Sequence, residues 1–187
     1  MELFLGIFSA FGLSASAGLN AYIPLFIISI LAHYTDWIKL APPYDVLSNP
    51  WISIFLGVLL IIEFLADKFP AINHINDIIH TFIRPAAGAI VFAASARVLT
   101  NISPVLSLIC GVLIAGSVHT AKSVVIRPAV TAATGGVGNV PVSILEDIIS
   151  TLTSLAAIII PALVAFTVLL ILLWWMFRRE KADRVRT

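Results

Sequence analysis

Glu63 and Asp67 stand four residues apart in an apolar run, so on a helix they share one face. Two carboxylates held that way inside a membrane suit the uptake of a cation or the relay of a proton, since an unpaired carboxylate there costs about 3 kcal/mol or more. Arg84 and Arg127 are the cations able to answer them, each inside an identical Ile-Arg-Pro-Ala tetrapeptide at 83–86 and 126–129. The competing reading is that these ion pairs only lock helix ends. A second group of candidates is uncharged. Asn20 and Tyr22 follow a small-residue run, and Gly135, Gly136 and Asn139 lie in Thr-Ala-Ala-Thr-Gly-Gly-Val-Gly-Asn-Val-Pro at 131–141. Glycines and prolines at membrane depth free backbone amides and carbonyls, which half-helix ends can offer to a solute or ion. The same small residues also allow close helix packing with no ligand at all.

The elements that must position these residues follow from composition. The chain has 187 residues, of which 60% are hydrophobic and 11% charged, with mean hydropathy +1.06. That balance is far from a soluble domain and predicts an all-α integral membrane protein. Apolar runs near 3–32, 51–68, 83–99, 104–122 and 150–177 are long enough to span, and 128–145 is a sixth, interrupted one. Six spans place nine Lys and Arg on one side against two on the other, including five of the chain's eleven in the last ten residues. The expectation is therefore about six transmembrane helices in a multi-pass cell-membrane protein with both termini cytoplasmic. The loop 33–50 is then external, and helices 1 and 5 are interrupted. One membrane domain covers 1–177 and a basic tail covers 178–187. Ala15-Ser16-Ala17 imitates a secretory cleavage site, but Glu2 stands where a signal peptide carries a cation, so the first span is read as retained.

Residues 50–68 align without gaps on 104–122, pairing Ser53 with Ser107, Gly57-Val58-Leu59 with Gly111-Val112-Leu113 and Lys68 with Lys122. This suggests an internal hairpin repeat. A weaker likeness joins 14–27 to 131–144 and predicts that the two interrupted spans meet around a polar pocket near mid-membrane. His119 and Lys122 share a face on the second copy, where Ser117 and Ala121 replace the two acids. Asn76-Asp77 and Glu146-Asp147 read as helix-start acids. Trp174-Trp175 reads as an interface belt.

The stretches Gly-Leu-Asn-Ala-Tyr-Ile-Pro-Leu (18–25), Glu-Phe-Leu-Ala-Asp-Lys-Phe-Pro (63–70), Asn76-Asp77 and Ile-Arg-Pro-Ala-Ala-Gly-Ala (83–89) resemble the signature segments of a family of small multi-spanning membrane proteins known only as a domain of unknown function. That resemblance implies no activity, substrate or site residue.

Several classes fall away. The basic tail is short and nothing else forms a basic face, so no nucleic-acid partner is expected. Cys110 is the single cysteine, excluding an internal disulfide or thiolate cluster. No His-Glu-x-x-His or Gly-x-Ser-x-Gly motif occurs and the four histidines are scattered, so no enzyme, metal or cofactor is expected. The leading expectation is a small transporter or channel-like permeation protein for a small solute or ion. A non-catalytic scaffold or assembly factor, including a homo-oligomer built on small-residue faces, is the alternative. A lipid-handling, flippase-like variant would show a lipid-open groove with Arg84 and Arg127 near head groups.

Overall fold

The structure is a computed structural model that describes residues 2–68, 70–99 and 103–160. The end of the last expected span, Pro161, Trp174-Trp175 and the basic tail lie outside the described residues. Among those described, all regular structure is helical: α1 (Glu2–Leu19), α2 (Tyr22–Tyr34), a 3-10 turn (Tyr44–Ser48), α3 (Pro50–Ala66), α4 (Pro70–Leu99), α5 (Pro104–Thr120), a π-helical segment (Ala121–Ile126), α6 (Arg127–Thr134) and α7 (Asn139–Ile160). Local chemistry sets the boundaries. Asn49 caps α3 by accepting from Trp51 N, and Pro50 and Pro104 occupy first-turn positions where the missing N–H costs nothing. By length and composition three helices suit a membrane crossing: Asn76–Ser95, the continuous rod Pro104–Thr134, and Asn139–Ile160. The 31 residues of the rod measure about 46 Å, more than a hydrocarbon core of about 30 Å. The apolar helices Gly6–Leu19, Tyr22–Tyr34 and Pro50–Ala66 are shorter.

Side-chain contacts give each helix its direction. α1 runs antiparallel to α7, because Ser9 bonds Ala157 O, Ser16 bonds Ser150 and Ser154, and Asn20 bonds Asp147. α3 also runs antiparallel to α7, with Asp67 at Ser143, Lys68 at Asp147, and Leu60 and Ile61 beside Ile148 and Leu152. α2 runs antiparallel to α3, from Ala21 at Glu63 through Ser29 at Ser53 to His33 at Ser48. It follows that α2 doubles back along the side from which α1 came. The expected single span 3–32 is thus two antiparallel helices, and the loop 33–50 lies at the same end as the start of α1 instead of opposite it. The reversal is local in origin. Asn20 Oδ1 accepts from both Tyr22 N and Ile23 N at 3.1 Å, starting a new helix after a break of two residues.

The expected interrupted span at 128–145 is also corrected. Gly135 and Gly136 adopt φ +63° and +92°, the left-handed cap that closes α6 and turns the chain into α7. Nothing lies within 4 Å of where a Cβ would sit on either, so the turn is outlying and does not face the Asn20 break.

Tight packing concentrates elsewhere. A Cβ on Gly111 would meet Ala89 Cα at 2.6 Å, and one on Gly18 would meet Ala115 O at 2.6 Å, so α1, α4 and α5 touch backbone to backbone. Leu13, Ile28, Val91 and Ala115 form the centre of the apolar core on this side.

Candidate functional site

At the end of the bundle where α1 turns into α2, polar side chains from α3, α4, α5, the π segment, α6 and α7 form one buried layer. Glu63 and Asp67 enter from the end of α3, 1% and 2% exposed. Arg84 comes from α4, Lys122 from the π segment, Arg127 from the start of α6, and Glu146 and Asp147 from α7. Arg84 reaches Glu63 Oε1 through Nε at 3.3 Å and Nη2 at 3.0 Å, and its Nη2 lies 3.7 Å from Asp67. Arg127 donates to Asp67 at 3.0 Å, to Glu146 at 3.1 Å and to both oxygens of Asp77. Lys122 pairs with Glu146 at 2.8 Å, lies 3.7 Å from Asp67 and donates to Leu19 O, the open end of α1. Lys68 bonds Asp147 at 3.1 Å.

The π segment explains how Lys122 and Arg127 meet. Five residues apart on an α-helix, they would point about 140° away from each other. The bond from Arg127 N to Lys122 O spans five residues, stacking one above the other so that both point into the layer.

Hydrogen-bond roles fix one tautomer. Arg84 Nη1 only donates, so His119 Nδ1, at 3.0 Å, accepts and the ring proton sits on Nε2, 3.2 Å from Thr81 Oγ1. Thr81 in turn donates to Asp77 O. His119 is thus a neutral prop for Arg84. Glu63 is held unevenly. Its Oε1 receives Arg84 and Ala21 N, with His80 Nδ1 3.2 Å away but not aligned as a hydrogen bond, while Oε2 is buried with no partner among the described residues.

Bulky apolar side chains surround the layer at the same height. Ile61, Phe82, Val124 and Leu145 are 60%, 78%, 65% and 54% exposed on the outer faces of the helices that carry the charges inside. Charged groups inward and large apolar groups outward is the inverse of a water-soluble surface and fits lipid around the layer.

Two open hollows reach it. One, about 760 Å³, is lined by Asp77, Arg127, Thr131, Gly135, Gly136 and Asn139; the other, about 690 Å³, lies between α4 and α5 beside Thr81, Pro85 and His119.

Of the residues expected from the sequence, Glu63, Asp67, Arg84 and Arg127 meet in the layer. Asn20 lies at its edge, but its oxygen caps α2 and its nitrogen donates to Asp147 at 2.9 Å, so it positions neighbours. Tyr22 stands edge-on to His80, ring centroids 6.0 Å apart. Gly135, Gly136 and Asn139 line the first hollow, where Asn139 donates to Thr131 Oγ1, two helical turns away from Asp147 and hence apart from Asn20. The pocket expected between Asn20 and Asn139 is not formed. Arg84 is enclosed at 0% exposure, so it does not present itself to lipid head groups. Asn76, Asp77, Glu146 and Asp147 are network members, not helix-start caps: Asn76 donates to Asp67 at 2.7 Å. Their signal was a polar stripe at helical spacing, Ser143, Glu146, Asp147, Ser150 and Ser154 on α7 and Asp77, His80 and Arg84 on α4.

The family model described as Domain of unknown function (DUF4126) matches residues 7–179. No curated protein and no solved structure matches the chain.

Proposed function

The chain belongs to the DUF4126 family, which brings no assigned activity, and from the site's geometry we propose that it is a small multi-pass permeation protein carrying a small ion through its buried charge layer. The observation that carries this reading is the layer itself, ionisable groups from six helical elements enclosed within an apolar girdle. Intramembrane ionisable residues are costly and mark ion or proton pathways. Among the described residues five carboxylates (Glu63, Asp67, Asp77, Glu146, Asp147) face four cations (Lys68, Arg84, Lys122, Arg127). With neutral histidines this leaves one negative charge, the condition under which one cation is welcome. In this reading all six legs cross the membrane, counting α5 to α6 as one, and the hollow at Asp77 and Arg127 is an entrance.

Purified protein in liposomes tests it. A pH or alkali-cation gradient should dissipate faster than in protein-free vesicles, and Asp77→Asn should slow it without changing elution on gel filtration. Equal leak rates with and without protein would defeat the reading. A non-catalytic scaffold is the second reading, favoured by the exposed apolar side of α5 (Val105, Leu106, Ile109, Leu113). A stoichiometric partner in mild detergent, lost on Leu113→Ser with ion flux absent throughout, would select it.

A further inference from the structure

We propose that Glu63 is a proton-binding site that loads and unloads at Oε2, so that the ion handled by the layer is H⁺. This deepens the permeation reading and rests on it for the transport arm alone.

Three observations lead there. The Glu63 side chain is buried at 1% exposure, and its two oxygens are treated differently. Oε1 is held by Arg84 Nε, Arg84 Nη2 and Ala21 N, while Oε2 has no partner among the described residues. A proton added at Oε2 turns the carboxylate into a carboxylic acid without displacing any of those three donors, and the described layer goes from one net negative charge to none. Release returns the same proton and restores the carboxylate, so nothing else is consumed.

A metal cation fits less well. It requires several oxygen ligands around it, whereas the groups facing Glu63 are the cations Arg84 and Lys122, the His80 ring, the Asp67 carboxylate one turn along its own helix and the Tyr22 hydroxyl. Two fixed positive charges repel a third held at full charge. A proton needs one lone pair and becomes part of a neutral group.

The geometry also explains why Arg84 is propped from behind. His119 Nδ1 accepts from Nη1 and fixes the guanidinium when Glu63 loses its charge, so the site survives both states.

Two measurements test this on the full-length protein. Infrared difference spectra across an acid titration should show a protonated-carboxyl carbonyl band in the wild type that is missing in Glu63→Gln. The variant is isosteric and keeps Oε1 as an acceptor for Arg84, so it is expected to fold. In liposomes, Glu63→Gln should lower proton flux on the order of a hundredfold, the scale of removing a positioned proton-transfer group. If Glu63→Gln cannot be purified, Glu63→Asp must shift the band, and an unshifted band overturns the proposal. An unchanged spectrum in Glu63→Gln overturns it too. Potassium or sodium flux that depends on Glu63 without proton flux overturns the proton assignment and leaves permeation standing. A Glu63-dependent band with no flux of any ion keeps the proton site and removes the permeation reading instead.

Discussion

Asp67 meets Asn76, Arg127, Ser143, Arg84 and Lys122, side chains carried by α4, the π segment, α6 and α7. Asp67→Asn would leave Lys122 with Glu146 as its one acid, shared with Arg127, which keeps Asp77 besides, and would take the second carboxylate away from Arg84. Removing one partner of a buried ion pair costs about 3–5 kcal/mol, because the remaining charge stays enclosed. The expected result is a large fall in the midpoint of thermal unfolding in detergent. Lys122→Met in the same background should recover part of it, and strictly additive losses in the double variant would argue against direct coupling. Asn20→Ala tests the reversal between α1 and α2. Loss of a capping side chain costs about 1 kcal/mol, and Asn20→Ser should restore the cap but not the bond to Asp147. These roles were half legible in advance. Glu63 and Asp67 stood out because acids are conspicuous in apolar sequence, whereas Asn20 showed only its type, and its partner Asp147 lies 127 residues away.

At the level of elements, the π segment decides which way two cations point. Deleting Val124, which is 65% exposed, shortens the separation of Lys122 and Arg127 to four residues and lets an ordinary α-helix hold both on one face. The deletion should keep the protein monodisperse with thermal stability close to wild type, while proton flux reports whether the π register is also needed for movement. Aggregation on deletion would mean that the segment does more than align these two residues. The glycines separate into two kinds. Gly135→Ala adds a methyl in open space but keeps a left-handed backbone, for a cost of about 1–2 kcal/mol. Gly111→Ala drives a methyl against the backbone of α4 at Ala89, so the larger loss of stability is expected there. From the sequence Gly135 read as a packing or ligand position and Gly111 only as a matched position of the repeat. The difference lies in what stands opposite each, which composition does not record. The two Ile-Arg-Pro-Ala copies diverge similarly: Pro85 lies inside α4, whereas Pro128 opens α6, although the arginine of each enters the layer.

For the whole molecule, the reversal at Asn20 brings the start of α1 and the 35–49 connection to one end, with the Gly135 turn at the other. Single cysteines at Asp36 and Val137 in a Cys110→Ser background should be labelled by an impermeant thiol reagent from opposite faces of oriented vesicles. Labelling of both from one face would refute the six-leg arrangement. Counting Lys and Arg by side misassigned the connection because Arg84, Lys122 and Arg127 are buried in ion pairs, where they answer carboxylates instead of marking loops. The all-helical character and most of the apolar runs followed from the sequence, since hydropathy acts over a few neighbouring residues, whereas Gly135 read as a break within a span and turned out to cap α6. Only the tertiary structure decided which charges meet, because that depends on a helix folding back at Asn20 and on a π turn rotating Arg127 over Lys122. Both are small changes of direction that a long rigid helix converts into large changes of position.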